Sequence, residues 1–271
     1  MQVVNWFSAG ITSAVAGKMA INKYGSENVA NVYFEIASAH PDNDRFIADC
    51  EKWYGQEIHR RRGKYDDQFD VIGQTRYLNG PSGARCTTEL KRFVRVSAVE
   101  EFNPDIQVYG FHYSKPEINR AVRAQQQIPD TTLYFPLIEA EMTKDIAAQL
   151  LLDNGIDLPA MYLLGFANNN CIGCVKGGKG YWNLIRKTFP EVFDRMARLE
   201  REIGRTCVSN PHVFLDELDP ERGNSPKQVA PSCDSSCELE YVDLIDPLTD
   251  QIMEGTLQIK DVPYDPWAAV S

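Results

Sequence analysis

Cys171-Ile-Gly-Cys174 is the densest piece of chemistry in the sequence. Two thiolates at this spacing either exchange a disulfide with one another or share one metal ion or cluster, and the intervening glycine lets both sulfurs face inward. Lys176, Gly177, Gly178, Lys179 and Gly180 follow at once. A flexible basic loop of this kind supplies amides and positive charge that suit a thiolate-rich centre or a bound anion. The other five of the seven cysteines are Cys50, Cys86, Cys207, Cys233 and Cys237. Cys86 opens an expected helix, where a thiolate is favoured, and Cys207, Cys233 and Cys237 are available as a fourth ligand. Cys50 shares a helical pattern with Phe46, Trp53 and Tyr54 and reads as core. An odd number of cysteines without a signal-peptide pattern points away from a disulfide framework and toward metal or redox chemistry.

A second chemical element stands near the N-terminus. Val3, Val4, Trp6 and Phe7 read as a short apolar strand, and Ala14, Val15, Met19 and Ile21 carry the spacing of a helix that begins directly afterwards. Ser8-Ala9-Gly10-Ile11-Thr12-Ser13 is then a strand-to-helix turn. It aims the free N–H groups and positive dipole end of the helix at whatever lies above the strand. Ala9 and Gly10 let a ligand approach the backbone, and Ser8, Thr12 and Ser13 add uncharged hydroxyl donors. A phosphate or sulfate fits such a turn.

The elements that must position these residues alternate along the chain. After the first helix, Val29 to Ile36 is β-rich and the polar run from Ala37 to Asp44 caps a further helix. Short strands are expected at Gln56 to Arg60, Asp105 to Phe111 and Thr132 to Pro136. Helices are expected from Cys86, capped by Thr87 or Thr88, at Glu117 to Gln127, at Thr143 to Asn154 and as one charged helix over Leu184 to Ile203. Strands alternating with helices predict an α/β, Rossmann-like parallel sheet with helices on both faces, whose ligands bind beyond the carboxyl ends of the strands. The expected division is a nucleotide-binding α/β domain over 1–204 that carries the CxxC, and an irregular Cys-rich C-terminal extension over 205–271 acting as a lid or wrap.

With 271 residues and 43% hydrophobic content the chain can bury a full core. A net charge of −10 argues against a broad nucleic-acid footprint. Local basic clusters remain at Arg60-Arg61-Arg62 with Lys64 and at Lys91-Arg92 with Arg95. No run of eighteen apolar residues occurs, so no membrane span and a cytoplasmic location are expected.

Taken in order, the turn at Ser8 to Ser13, Cys86, Gly110-Phe111-His112 with Glu117 and Arg120, Phe135-Pro136-Leu137-Ile138, Tyr162-Leu-Leu-Gly165 and Cys171-Ile-Gly-Cys174 resemble the phosphoadenylyl-sulfate and adenylyl-sulfate reductase family of the PP-loop superfamily. The likeness runs from Met1 to Trp182. It implies a sulfonucleotide-reductase-like oxidoreductase of sulfur metabolism that binds an adenosine nucleotide as substrate beside a Cys-ligated [4Fe-4S] cluster. Cys86, Cys171, Cys174 and Cys237 would be the metal ligands, with zinc as the alternative metal. Ser8, Gly10, Thr12, Ser13, His112, Arg120 and Lys176 would contact the nucleotide, and His40 lies at a comparable strand end. Cys233, in Ser-Cys-Asp, loosely matches the family's C-terminal nucleophile, and a thiol reductant would complete turnover. Two positions depart from the pattern: Arg85 stands where the family has the first of two adjacent cysteines, and Thr12 replaces the acidic residue of the ATP-hydrolysing form of the loop. The related PP-loop enzymes that thiolate tRNA hold a cluster on three cysteines and leave one iron open. An ATP-dependent sulfurtransferase acting on a nucleic acid is therefore an alternative, and a nucleotide-binding module with structural zinc is another.

Overall fold

The computed structural model describes residues 1–80, 83–128, 131–209, 212–223 and 247–263. Five strands form one sheet: β1 (Val3–Phe7), β2 (Val29–Phe34), β3 (Ile58–Arg61), β4 (Ile106–Val108) and β5 (Thr132–Tyr134), in the order β3-β2-β1-β4-β5. Every neighbouring pair is parallel, with Val3 opposite both Val29 and Ile106, Asn31 opposite Ile58, and Ile106 opposite Thr132. All residues of β1 and β2 are buried, Asn5 and Asn31 among them and bonded to each other at 2.8 Å, as strands covered on both faces require.

The pleat of β1 divides the core. Val3 and Phe7 point to a layer that holds α1 (Ile11–Tyr24), α2 (Asn43–Tyr54) with Phe46, Ile47 and Cys50, and Leu151. Val4 and Trp6 point to the opposite layer, with Val94, Ala98, Ile118 and Ala121. The α/β class with helices on both faces is thus the observed architecture. Cys50 lies in the first layer, fully buried, and burial pushes its thiol pKa well up.

Several boundaries differ from the sequence pattern. The helix α3 (Gln68–Thr75) follows β3. The helix carrying Cys86 begins at Arg85, with Ala84 at its cap, so Thr87 and Thr88 lie inside the helix rather than capping it. It passes through a five-residue π-helical stretch, Thr88–Arg92, before α4 (Phe93–Phe102). Next come α5 (Lys115–Gln127) and α6 (Lys144–Asp153), the latter capped by the Thr143 hydroxyl, which accepts from the Ile146 amide. The single charged helix expected at 184–203 is two: α7 (Lys179–Thr188) and α8 (Pro190–Ile203). Pro190 cannot continue a helix from behind, and Phe189 before it takes an extended-side conformation at φ −138°.

These last two helices build a third apolar layer. Trp182, Ile185, Phe193 and Met196 pack with Phe69, Ile72, Met161, Cys207, Leu215 and Leu218. One carboxylate fastens the first part of the extension to that layer: Glu200, with no exposed surface, accepts the amides of Cys207 and Leu215, the latter at 2.7 Å. Farther along, the helix Pro247–Met253 lies against α5, where the Thr249 hydroxyl donates to Asn119 at 3.3 Å. Removing an acceptor shared by two buried amides strands both donors. Glu200→Ala is therefore expected to lower unfolding stability by on the order of 3 kcal/mol in urea titration, and a midpoint equal to the parent's contradicts the fastening.

Candidate functional site

The turn after β1 is held from three sides. Ala9, fully buried, takes a left-handed conformation (φ 55°) that turns its carbonyl toward Asn169, whose side-chain nitrogen donates to it at 2.7 Å. The Ser13 hydroxyl accepts the Ser8 amide at 3.0 Å, lies 3.0 Å from the Ser8 hydroxyl and donates to the Gly10 carbonyl at 3.1 Å. Ser13 thus shapes the turn with its own side chain. Behind it Gly110 must lack a side chain, because a Cβ there would stand 2.6 Å from the backbone N and Cα of Ser13. Above it sits the Tyr162 hydroxyl. Burial raises its pKa to about 12 against the opposing pull of the Ile11 and Asn169 amides that face it. One of the helix N-terminal amides is therefore already met by a protein group.

Past the end of β4, His112, Glu117, Arg120 and Lys144 form a polar group. Arg120 and Glu117 are paired at 2.9 and 3.0 Å with both side chains nearly buried, and the guanidinium lies 4.4 Å from the Phe111 ring centre. Arg120 thus brings its counter-charge with it. Burial lowers the His112 pKa, with Glu117 opposing. Lys144 donates to the Ala167 carbonyl and, at 2.7 Å, to Asn168. Its ammonium lies 4.9 Å from the Tyr162 ring centre, and desolvation lowers its pKa to about 8. His40 accepts the Asp42 amide at 3.1 Å and packs edge-on to Phe189, within the turn before α2.

Two clefts open over the carboxyl ends of β1 and β2. The first is lined by Phe7, Ser8, Tyr33, Asn43 and Asn169 among others, the second by Cys86, Thr87, Gln68, Cys174 and Lys176. Ile36, Lys91 and Cys171 line both. The three cysteines singled out by spacing, distant in sequence, thus face one cavity, and Lys176 joins them there. Among the described residues no three His, Cys, Asp or Glu side chains stand close enough to hold a metal ion as they are. The donor set itself, three thiols along one wall, suits a soft metal or an iron-sulfur cluster. Cys207 lines neither cleft and is buried in the third apolar layer: burial raises its thiol pKa well above the ordinary value, and the Glu200 carboxylate adds to the rise. Cys233 and Cys237 lie outside the described residues.

Four contributors were not singled out as site residues by motif. Lys91 stood in the sequence only as part of a basic cluster, and the π-helical stretch is what brings it to the shared wall at 8% exposure. Asn169, Gln68 and Lys144 act through backbone atoms of loops far away in sequence, which leaves no local pattern beyond the Asn168-Asn169-Asn170 run before the CxxC.

No protein-family model matches the chain, and no curated protein matches it. Among solved structures, the phosphoadenylyl-sulfate reductase of Candida auris, in a phosphate complex, is similar with a TM-score of 0.42 and 13% identity, covering 60% of this chain and 78% of that one. The U34-tRNA thiolase NcsA of Methanococcus maripaludis, with its [4Fe-4S] cluster, is similar with a TM-score of 0.38 and 15% identity, covering 76% of this chain and 72% of that one. Both are likenesses at low identity. No helix among the described residues is long and apolar enough to cross a membrane.

The lowered His112 pKa has a signed consequence. As pH falls below about 6.5 the unfolded chain takes up a proton before the folded one does, so stability present above that pH is lost on acidification. His112→Asn is expected to flatten the decline of the urea midpoint below pH about 6.5 relative to the parent. Parallel pH profiles for the two proteins contradict a buried neutral imidazole.

Proposed function

We propose that the chain is a sulfonucleotide-reductase-like oxidoreductase that binds an adenosine nucleotide of the adenylyl-sulfate or phosphoadenylyl-sulfate type over the sheet's carboxyl edge. The observation that carries this is the pair of adjoining clefts. One is bounded by the Ser8 turn and the other by three cysteines, with Lys91 and Cys171 common to both. A nucleotide sulfate anchored at the turn would reach the shared wall, where an ammonium and thiols stand together. Cys86, Cys171 and Cys174 would hold a [4Fe-4S] cluster, with Cys237 as fourth ligand. When bound, the cluster supplies a positive field near the sulfate.

In this reading the remaining amides of the Gly10–Ser13 helix start bind the phosphates, and Lys91 and Lys176 balance the sulfate charge. His112 and Arg120 border the nucleotide from the β4 side. A thiolate, assigned to Cys233, attacks the sulfate sulfur. The S–O bond to the nucleotide breaks, AMP or its 3′-phosphate leaves, and an S-sulfo enzyme forms. A thiol reductant then attacks the enzyme sulfur. Sulfite departs with its electron pair, and the two thiols end as a disulfide, so sulfur is reduced by two electrons and the thiols are oxidised by two.

One observation favours the second reading, an ATP-dependent sulfurtransferase. Arg85 is an ion-pair partner of Glu89 at 2.6 Å rather than a fourth thiol, which leaves three cysteines at the cleft among the described residues. The net charge of −10 weighs against it, because an RNA substrate needs a basic surface.

Gly10 offers a test. A Cβ there would stand 3.3 and 3.4 Å from the Ser8 and Tyr162 hydroxyls, so Gly10→Asp asks those hydroxyls to give by a few tenths of an ångström while it adds a negative charge at the turn. It is expected to abolish adenylyl-sulfate binding in calorimetry while the melt stays cooperative, and parent-like affinity sinks the proposed anion site. Protein purified without oxygen is expected to carry iron and absorb in the visible. The metal should be lost in Cys86→Ser, Cys171→Ser and Cys174→Ser but retained in Cys50→Ser. Bound zinc without iron would favour the non-catalytic module, and full metal retention in Cys86→Ser would overturn the shared centre.

A further inference from the structure

The CxxC turn has an unusual tenant. The Tyr181 hydroxyl sits inside it, accepting the Gly173 amide at 3.1 Å and the Cys174 amide at 2.9 Å, and donating to the Cys171 carbonyl at 3.1 Å. A phenol has one proton and two lone pairs, so this hydroxyl is saturated by the turn alone. The ring is locked in place by Phe166 and Trp182, both edge-on at 5.5 and 5.6 Å between centres. Gly177 passes so close that a Cβ would stand 2.0 Å from the ring.

The rest of the turn's backbone is met from outside as well. The Ile172 amide donates to the Ser38 carbonyl at 2.8 Å, and the Gln68 amide group donates to the Ile172 and Gly173 carbonyls at 2.8 and 3.4 Å. The Gly177 amide takes the Cys174 carbonyl at 3.0 Å. Of the amides from Ile172 to Cys174, every one is committed to an oxygen acceptor. A dithiol activated for disulfide exchange draws on nearby amides, commonly a helix N-terminus, to stabilise its thiolate. Here those amides are turned toward a phenol oxygen.

We propose that Tyr181 is the positioning residue of the cysteine pair, fixing the turn so that both thiols face the Cys86 cleft as ligands. This rests on the metal-centre part of the reading above, yet one of its measurements is independent of metal. In Tyr181→Phe the ring remains, while the Gly173 and Cys174 amides and the Cys171 carbonyl lose the Tyr181 hydroxyl.

The test compares full-length parent and Tyr181→Phe, each reduced and metal-free. Alkylation by iodoacetamide at fixed pH, followed residue by residue by mass spectrometry, is expected to rise at least tenfold at Cys171 and Cys174 and to stay within twofold at Cys86. Titration with Co(II) is expected to show at least tenfold weaker binding and an altered thiolate-to-metal absorption band. Parent-like alkylation rates overturn the positioning role. A parent that binds no Co(II) defeats the metal-centre reading, and the alkylation comparison still decides the turn. Should the variant fail to melt cooperatively, hydrogen exchange in the unsubstituted protein decides instead. The Gly173 and Cys174 amides must exchange at least a hundredfold slower than in an unstructured peptide, and free-peptide rates overturn the proposal.

Discussion

Where parallel strands end at a common edge, the loops above them leave amides and carbonyls that no strand can pair, and burying such groups without partners costs about as much as losing a hydrogen bond. In this protein that accounting is settled by side chains arriving from elsewhere in the chain. Asn169 meets the Ala9 carbonyl, the Tyr162 hydroxyl faces the Ile11 amide, and Gln68 and Tyr181 between them meet the backbone of the CxxC turn. The same bonds tie the loop after β1 to the segment that carries Cys171. The turn after β1 and a cysteine pair separated by some hundred and sixty positions therefore share one mechanical frame, and the frame costs no extra element because these groups had to be bonded in any case.

Three cationic side chains lie near this edge of an acidic molecule. The chain carries a net −10, yet Lys91, Arg120 and Lys144 are gathered above the sheet, with Arg120 neutralised by Glu117 and Lys144 engaged by neutral oxygens. Buried cations persist only with partners of this kind. An acidic exterior with cationic groups held at the sheet edge suits a small dianionic or trianionic ligand that can enter the cleft, and suits a long polyanion poorly, since the latter must be neutralised over an extended surface. Lys91 and Cys171 line both adjoining clefts, so the first, bounded by the Ser8 turn, runs on to the second, lined by the thiols.

Much of the architecture was legible because it depends on short-range patterns. The apolar runs at Val3–Phe7 and Val29–Phe34, followed by helical spacing, specify buried parallel strands with crossover helices, and this holds whatever the distant partners are. The CxxC, the turn at Ser8 to Ser13 and the expected helix start at Cys86 were visible for the same reason: each is a spacing within a few residues. The errors were local as well. A proline breaks one charged helix into α7 and α8 although its periodicity runs through, and the Thr87 and Thr88 caps give way to a start at Arg85.

What only tertiary structure decided is which of those pieces meet and what each side chain is free to do. Spacing offered Ser13 as an anion donor, but its hydroxyl closes the turn on Ser8 and Gly10. The family resemblance offered Arg120 as a nucleotide contact, and in the fold it is paired with Glu117. Nothing local marks Lys91, which reaches the cleft through a π-helical stretch, or Tyr181, whose hydroxyl finds three partners seven to ten residues back in a turn with no regular period. Sequence periodicity records which face of an element is apolar. It carries no record of hydrogen bonds between side chains and the backbone of distant loops, because those depend on the three-dimensional closure of the chain rather than on any repeat along it.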